Sequence, residues 1–304
     1  MKHRGSARAN GANALPRGID PEQKAPGVYP PVVDAAGIAP LSSTGRDSLT
    51  VARECAAEAQ RIMREGFGRV GVSATKGRGN VLTETDLAVE RAATAILARE
   101  YPGMPVLSEE SAAGTRSDGW LWVIDPVDGT KNFSRGIPHF CFTIALCHEN
   151  EPAVGLTLQP LLGEEFAAVR GQGAMLNGRP LRVSGTASVR ESIVAVDMGY
   201  NDARGRRQLE LALALWPGME SLRIPGSAAL GIAYVAAGRW DIFLHADLQA
   251  WDLAAGLLLV REAGGIVTDR EGRPATIFSK GLIAATPAVH ADFMQRAGHL
   301  PWRE

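Results

Sequence analysis

Apolar positions along this chain change their period several times, and each change marks a boundary. Residues 1–46 hold no sustained period of either kind; they carry six of the 18 prolines and few large apolar side chains. Such a segment cannot bury enough surface to offset its chain entropy, so we expect a disordered N-terminal extension, with the folded domain spanning 47–304. From Asp47, "DSLTVARECAAEAQRIMREGF" sets apolar residues at helical spacing behind an N-cap at Asp47 or Ser48. "TETDLAVERAATAILARE" repeats the pattern after a second cap cluster. Between Met104 and Val169 the texture switches to short apolar runs, "MPVLS", "WLWVID", "FCFTIALC", "AVGLTLQ" and "EEFAAVR", parted by Gly, Pro and acidic turns. That reads as strands of a mainly antiparallel sheet. The second half alternates strands ("SIVAVDMG", "ESLRIP", "DIFLHA", "GLIAATP") with helices ("ARGRRQLELALALW", "AALGIAYVAAG", "WDLAAGLLLVREAG" and a terminal one). Alternating blocks predict a layered α/β or α+β architecture.

Composition removes several classes of function. A formal net charge of -1 over 304 residues gives no field for polyanions, so nucleic acid is not an expected partner. No apolar run reaches the length of a membrane helix, and no secretory signal follows the basic N-terminus. Cys55, Cys141 and Cys147 have no metal spacing, and two of them sit in an apolar strand-like run, which suits reduced thiols in the cytoplasm.

One stretch breaks the apolar texture. "WVIDPVDGTKNF", Trp122 to Phe133, ends a buried-looking strand on two acids, Asp125 and Asp128, with Pro126 between them and Gly129 after. Pro126 cannot donate to a neighbouring strand, so the ladder is expected to stop there. Gly129 permits close backbone approach, and a turn or helix opening at Thr130 would point the Gly129 and Thr130 amides outward as an anion site. Carboxylates for a cation beside amides for an anion suit a Mg²⁺ ion bound to a phosphate. Glu109 and Glu110 of "LSEES", and Asp252 of "AWDLAAG", could complete the site. Each also has an ordinary reading: a solvated loop for the glutamates, a helix-start acid for Asp252. Spacing rejects three rival acidic motifs. Haloacid dehalogenases need aspartates two apart, EF-hand loops need acids at positions one, three and five, and a prenyl-synthase DDxxD lies in an all-helical chain.

In order, "ILARE…LSEES", "WVIDPVDGTKNF", "PGSAAL" and "WDLAAGLLLVREAGG" resemble the inositol monophosphatase family of Mg²⁺-dependent, lithium-sensitive-type phosphatases, over about residues 47–300. The resemblance implies an αβαβα layered sandwich, commonly a homodimer, and a small phosphate monoester substrate. It implies two or three Mg²⁺ ions. Glu109 and Asp125 would share the first with the Val127 carbonyl; Asp125, Asp128 and Asp252 would hold the second; a third would lean on Glu109 and waters. The Gly129 and Thr130 amides would bind phosphate, with Asp128 beside them. The Thr130 hydroxyl and Glu109 would orient and activate the attacking water, and Asp86 would hydrogen-bond Thr130. Lys76 falls near the family's lysine beside the phosphate, one residue closer to the aspartate than usual.

At the substrate end, Gly226, Ser227 and Ala228 match the loop beside the substrate's alcohol, while Ser227 is also an ordinary N-cap. Nineteen residues after Gly226, where inositol-cleaving members carry glutamate, this chain has His245. A neutral imidazole offers one donor and one acceptor instead of two acceptor oxygens. Inositol monophosphate is the default substrate. "GTKNF" is similar to histidinol-phosphate phosphatases of the family, and fructose-1,6-bisphosphate or another sugar bisphosphate, or a 3′-phosphonucleotide, are further alternatives. A catalytically silent phosphate-binding module is the non-enzymatic one. Lys131 is expected to face solvent, His139, His148 and His290 have no ligand spacing, and "RGQG" is expected to be a hairpin turn.

Overall fold

A computed structural model describes residues 34, 37–77, 80–111 and 118–303. Helix α1 (Ser48–Gly66) opens as its sequence predicts, with the Asp47 carboxylate accepting the Thr50 N–H at 2.8 Å. A short hairpin, β1 (Val72–Thr75) and β2 (Val81–Thr83), leads into α2 (Glu84–Glu100), which starts on a capping box between Thr83 and Asp86. Strands β3 (Val106–Ser108) and β4 (Trp120–Asp128) are parallel, and α3 (Thr130–Ser134) follows. The antiparallel strands β5 (Cys141–His148), β6 (Glu151–Gln159), β7 (Glu164–Val169), β8 (Ala174–Leu176) and β9 (Arg179–Pro180) complete a seven-stranded sheet in sequence order. The turn joining β7 to β8 is the "RGQG" hairpin.

A second sheet is built from β10 (Ile193–Asp197), β11 (Ser221–Arg223), β12 (Ile242–His245), β13 (Ile266–Thr268) and β14 (Leu282–Ala285), in the order β11-β10-β12-β14-β13. Between its strands run α4 (Asp202–Leu215), α5 (Ala228–Ala236) and α6 (Ala250–Glu262), with α7 (Pro287–Ala297) last.

Three apolar clusters order the layers. The first joins α1 and α2 to one face of the large sheet through Trp122, Ile124, Phe142 and Ile144. The second joins the opposite face, through Leu121, Val123 and Ala145, to α5 and α6, and those helices to Ala195 and Phe243 of the small sheet. The third puts Leu211 of α4 and Val289 and Phe293 of α7 on the small sheet's outer face. The result is an αβαβα sandwich, the layering the sequence resemblance implies. Its middle helices are buried on both sides, which explains why α5 and α6 read as nearly unbroken apolar runs.

Two expectations need correcting. Disorder through residue 46 does not hold for the last ten positions, because Ala39 is fully buried and the Pro40 carbonyl accepts the hydroxyls of Ser48 at 2.9 Å and Tyr101 at 3.2 Å. Residues 1–33 lie outside the described residues. Pro126 does not end its strand either; β4 runs on to Asp128, which pairs with Cys141 across an irregularity in the ladder. Proline is tolerated there because a bulge leaves its position unpaired.

Candidate active site

The irregularity in β4 decides where its acids point. In a regular strand, residues three apart face opposite ways, so Asp125 and Asp128 would lie on opposite sides of the sheet. The register break between them restores parity. Val127 then faces the α1–α2 layer, and both carboxylates reach the α5–α6 layer. One carboxylate oxygen from each of Asp125, Asp128 and Asp252 lies within 4.8 Å of the others. Glu109 follows β3, and the pairing of Ser108 with Ile124 sets it next in line beside Asp125.

Each acid is held by its neighbours. Asp125 Oδ1 accepts the Val127 N–H at 3.0 Å, which bends the chain at Pro126. Asp128 Oδ2 accepts the Ser227 hydroxyl, the Ala229 N–H at 3.0 Å and the Cys141 thiol at 3.4 Å, while Oδ1 takes the Ala228 N–H at 3.0 Å. It thus caps α5 from another element, at the positive end of that helix. Asp252, at the third position of α6, accepts the Gln249 N–H at 2.7 Å, so its ordinary capping role and its place in the cluster coexist.

Electrostatics show what the cluster lacks. Burial, then the charges of Glu109, Asp128 and Asp252, hold the Asp125 carboxyl well above its usual range. Burial and then Asp128 do the same to Asp252. Asp128 and Glu109 are raised chiefly by burial, against the pull of Ser227 on the first and Lys76 on the second. Lys76 does not line the cavity described below; its Nζ pairs with Glu109 at 3.0 Å and Glu110 at 2.5 Å. Four carboxylates facing one another, Asp125 and Asp128 buried and Glu109 and Asp252 half-buried, stay ionised only beside further positive charge. An all-oxygen, carboxylate donor set suits a hard divalent cation, so the residues fit Mg²⁺.

Next to the acids, Gly129 opens α3 at φ 88°. A Cβ there would meet Ser227 Cβ at 3.1 Å and the Gly226 and His139 carbonyls at 3.2 Å, so glycine is required by conformation and by space. The Thr130 hydroxyl lies 2.9 Å from Asp86 Oδ1 and 2.8 Å from the Val127 carbonyl. Asp86 is buried, and its other oxygen takes the Thr83 N–H at 3.0 Å, which fixes the carboxylate under the threonine.

A cavity of about 300 Å³ opens beyond this turn. Asp128, Gly129, Gly226, Ser227, Ala228, His245 and Asp252 line it; Asp86, Glu109, Asp125, Val127 and Thr130 do not. Lys131 is exposed, as expected of a helix residue facing water, but it also borders the cavity. Two residues that sequence reasoning passed over belong here. Asn132 Nδ2 donates to the carbonyls of His139 at 2.7 Å and Pro225 at 2.9 Å, tying α3 to the loop before α5. Asp197, at the end of β10, lines the cavity and accepts the Gly226 N–H. Its sequence signal, an acid closing the apolar run of "SIVAVDMG", is the one that marks Asp125.

The chain is similar to known proteins in sequence and in fold. A family model for the Inositol monophosphatase family matches residues 46–299. The Nus factor SuhB of Pseudomonas aeruginosa is 38% identical over 264 residues, covering 83% of this chain and 97% of that protein. Inositol monophosphatase 3 of Solanum lycopersicum is 36% identical over 260 residues, covering 82% and 95%. Among solved structures, the extragenic suppressor protein suhB of Bartonella henselae superposes with a TM-score of 0.77 at 34% identity, covering 82% of this chain and 97% of that one. With its layered fold and its acidic turn between two sheets, the chain belongs to the inositol monophosphatase family.

Proposed function

We propose that this protein is a Mg²⁺-dependent phosphomonoesterase that cleaves a small hydroxylated metabolite phosphate by direct attack of water. The observation that carries the reading is the meeting of Asp125, Asp128 and Asp252 beside the Gly129–Thr130 turn, with Glu109 adjacent. Glu109, Asp125, the Val127 carbonyl, Asp128 and Asp252 would hold two or three Mg²⁺ ions. When bound, these supply charge neutralisation for the phosphoryl group and acidify the attacking water.

The chain's own groups do the rest. The amides of Gly129 and Thr130 receive phosphate oxygens at the opening of α3. Asp86 accepts from the Thr130 hydroxyl, which leaves the threonine oxygen's lone pairs for a proton of the attacking water. Glu109 accepts that water's departing proton as the new P–O bond forms and the bond to the alcohol oxygen breaks, the leaving oxygen taking a proton from a second water. Thr130 is held by a buried carboxylate, so its orientation is set before substrate arrives. Inositol monophosphate is the default substrate, with histidinol phosphate, a sugar bisphosphate such as fructose-1,6-bisphosphate, or a 3′-phosphonucleotide as alternatives. A homodimer in the cytoplasm completes the proposal. It fits three buried free cysteines, and among the described residues no helix is long and apolar enough to cross a membrane. The designation Nus factor on bacterial relatives concerns those proteins; the assembled acids of this chain favour chemistry on a phosphate.

Phosphate release from a metabolite panel, with and without Mg²⁺, tests the proposal. Mg²⁺-dependent release is expected for at least one member, and Asp125→Asn should lower kcat by about 10²–10³-fold or more with an unchanged circular dichroism spectrum. Well-folded wild type that hydrolyses nothing would favour a silent phosphate-binding module.

A further inference from the structure

Across the cavity from the acidic turn stand the C-terminal ends of β10 and β12. These strands are parallel, with Asp197 directly beside His245. Alternation along each strand puts both side chains on the face of Ala195 and Phe243, towards α5 and α6. Both are more than nine-tenths buried, at 7% and 6% exposure, and both line the cavity.

Each has a fixed hydrogen-bonding sense. His245 Nδ1 accepts the Asp247 N–H at 3.1 Å, so that nitrogen carries a lone pair. Burial pushes the imidazole down to about 3, so the ring is neutral at any physiological pH. Its single proton is then on Nε2, which can only donate. Gly199 leaves room for this ring: a Cβ there would stand 3.2 Å from His245 Cε1. Asp247 is itself braced by Arg204 at 2.7 Å, which fixes the backbone that sets the tautomer. Asp197 accepts the Gly226 N–H on its two oxygens, at 3.0 and 3.1 Å. Burial raises the Asp197 carboxyl to about 7, so above that pH, where the test below is run, it is a carboxylate with about four acceptor positions and capacity remains on the cavity side.

We propose that Asp197 and His245 together read one hydroxyl group of the leaving alcohol, which accepts from His245 Nε2–H and donates to Asp197. The inference rests on the phosphatase reading and narrows its substrate. Asp197 becomes a specificity-determining residue, and the pair selects an alcohol with a hydroxyl beyond the one that carries the phosphate. A ketone or ether oxygen would satisfy His245 and leave Asp197 facing lone pairs; a methylene would leave both without partners. Sites built to hydrogen-bond a hydroxyl discriminate strongly against analogues lacking it. A glutamate at position 245 would accept from hydroxyls and offer no donor, so it would not pair with Asp197 on one group.

Matched pairs of phosphate monoesters provide the test: inositol 1-phosphate against its singly deoxygenated analogues, glycerol 2-phosphate against 2-propyl phosphate, and ribose 5-phosphate against 2-deoxyribose 5-phosphate. With the full chain and Mg²⁺, wild type should prefer the hydroxylated member of the best pair by at least about 10²-fold in kcat/KM. Asp197→Asn keeps an oxygen for the Gly226 N–H but turns an amide donor to the cavity. It should reduce that preference to less than about 10-fold, mainly by loss on the hydroxylated member. His245→Phe should do the same, and the double variant should fall no further than either single, because both residues read one group.

Equal cleavage of hydroxylated and deoxygenated members by wild type overturns the inference without any variant. So do equal losses on both members in Asp197→Asn, which would mean that Asp197 only props the Gly226 loop, and multiplying losses in the double variant. Wild type that releases phosphate from no member overturns the phosphatase reading and this inference with it; release with an unaltered preference in the variants overturns this inference alone.

Discussion

Asp128 shows how much one side chain can carry. Its carboxylate belongs to the cluster that fits a cation, and it also collects the Ser227 hydroxyl and the opening N–H groups of α5. The sequence made Asp125 and Asp128 legible because an acid pair interrupting an apolar run is expensive unless it has a task. It did not make Asp128's cap on α5 legible, since the partners lie about a hundred residues away. Asp197 carried the same local signal as Asp125 but no glycine-threonine turn or second acid beside it, so its place in the cavity emerged only from strand register. His245 yields a prediction about pH. The folded imidazole is held near 3 against an ordinary 6.5, so it binds no proton across the working range. The pH profile of kcat/KM between pH 5.5 and 8 should therefore keep its shape in His245→Gln even as its height falls. An inflection near pH 6.5 that vanishes in the variant would show that this imidazole titrates.

Among elements, the middle pair α5 and α6 sets the site's precision. Both helices aim their N-terminal ends at the acidic turn, one meeting Asp128 and the other carrying Asp252. They approach closely because Gly256 faces Ile232: a Cβ on Gly256 would lie 2.6 Å from Ile232 Cγ2. Gly256→Ala should therefore cost about 1–3 kcal/mol of stability despite alanine's better helix propensity, read as a lowered urea midpoint with unchanged slope. A rise in the midpoint would mean that the helices part without strain. The long elements were legible from period alone, including α1, α2 and β4 to β7. Strands β1, β2, β8, β9 and β13 were not: β1 is exposed at all four positions, and the others have three residues or fewer. Two or three residues offer no alternation to read, so the equally short β3 and β11 were legible only as apolar runs beside turn residues, and an exposed strand has no buried face to display it.

At the scale of the whole molecule, the layering collects acids from three stretches of chain into a charge imbalance that a cation relieves. The sign with pH follows from carboxyls raised in the folded state: ionising them costs folded-state stability. That cost is absent below the ordinary aspartate value of 3.8 and grows as pH climbs through the raised values. Asp197, raised by burial from 3.8 to about 7, adds to the cost until that pH. In EDTA, Tm should fall further below its value in Mg²⁺ as pH climbs from 5 to 7, a comparison in which the titration of the histidines cancels. Mg²⁺ at about 100 times its Kd should restore about 2.7 kcal/mol, with a larger gain in Tm at the higher pH. A Tm indifferent to Mg²⁺ at both values would sink the cation site. The order of layers was not legible from periodicity, which gave alternating blocks but not which helices lie between the sheets; family resemblance supplied that order.

The bonds from the head of α5 to Asp128 span 99 to 101 positions of sequence and stitch the large sheet to the middle helix layer. Rocking the two apart would tear the acidic turn itself. A molecule entering the cavity would therefore pass the rim, where Tyr200 and Ile224 stand exposed, over a floor that these bonds hold together.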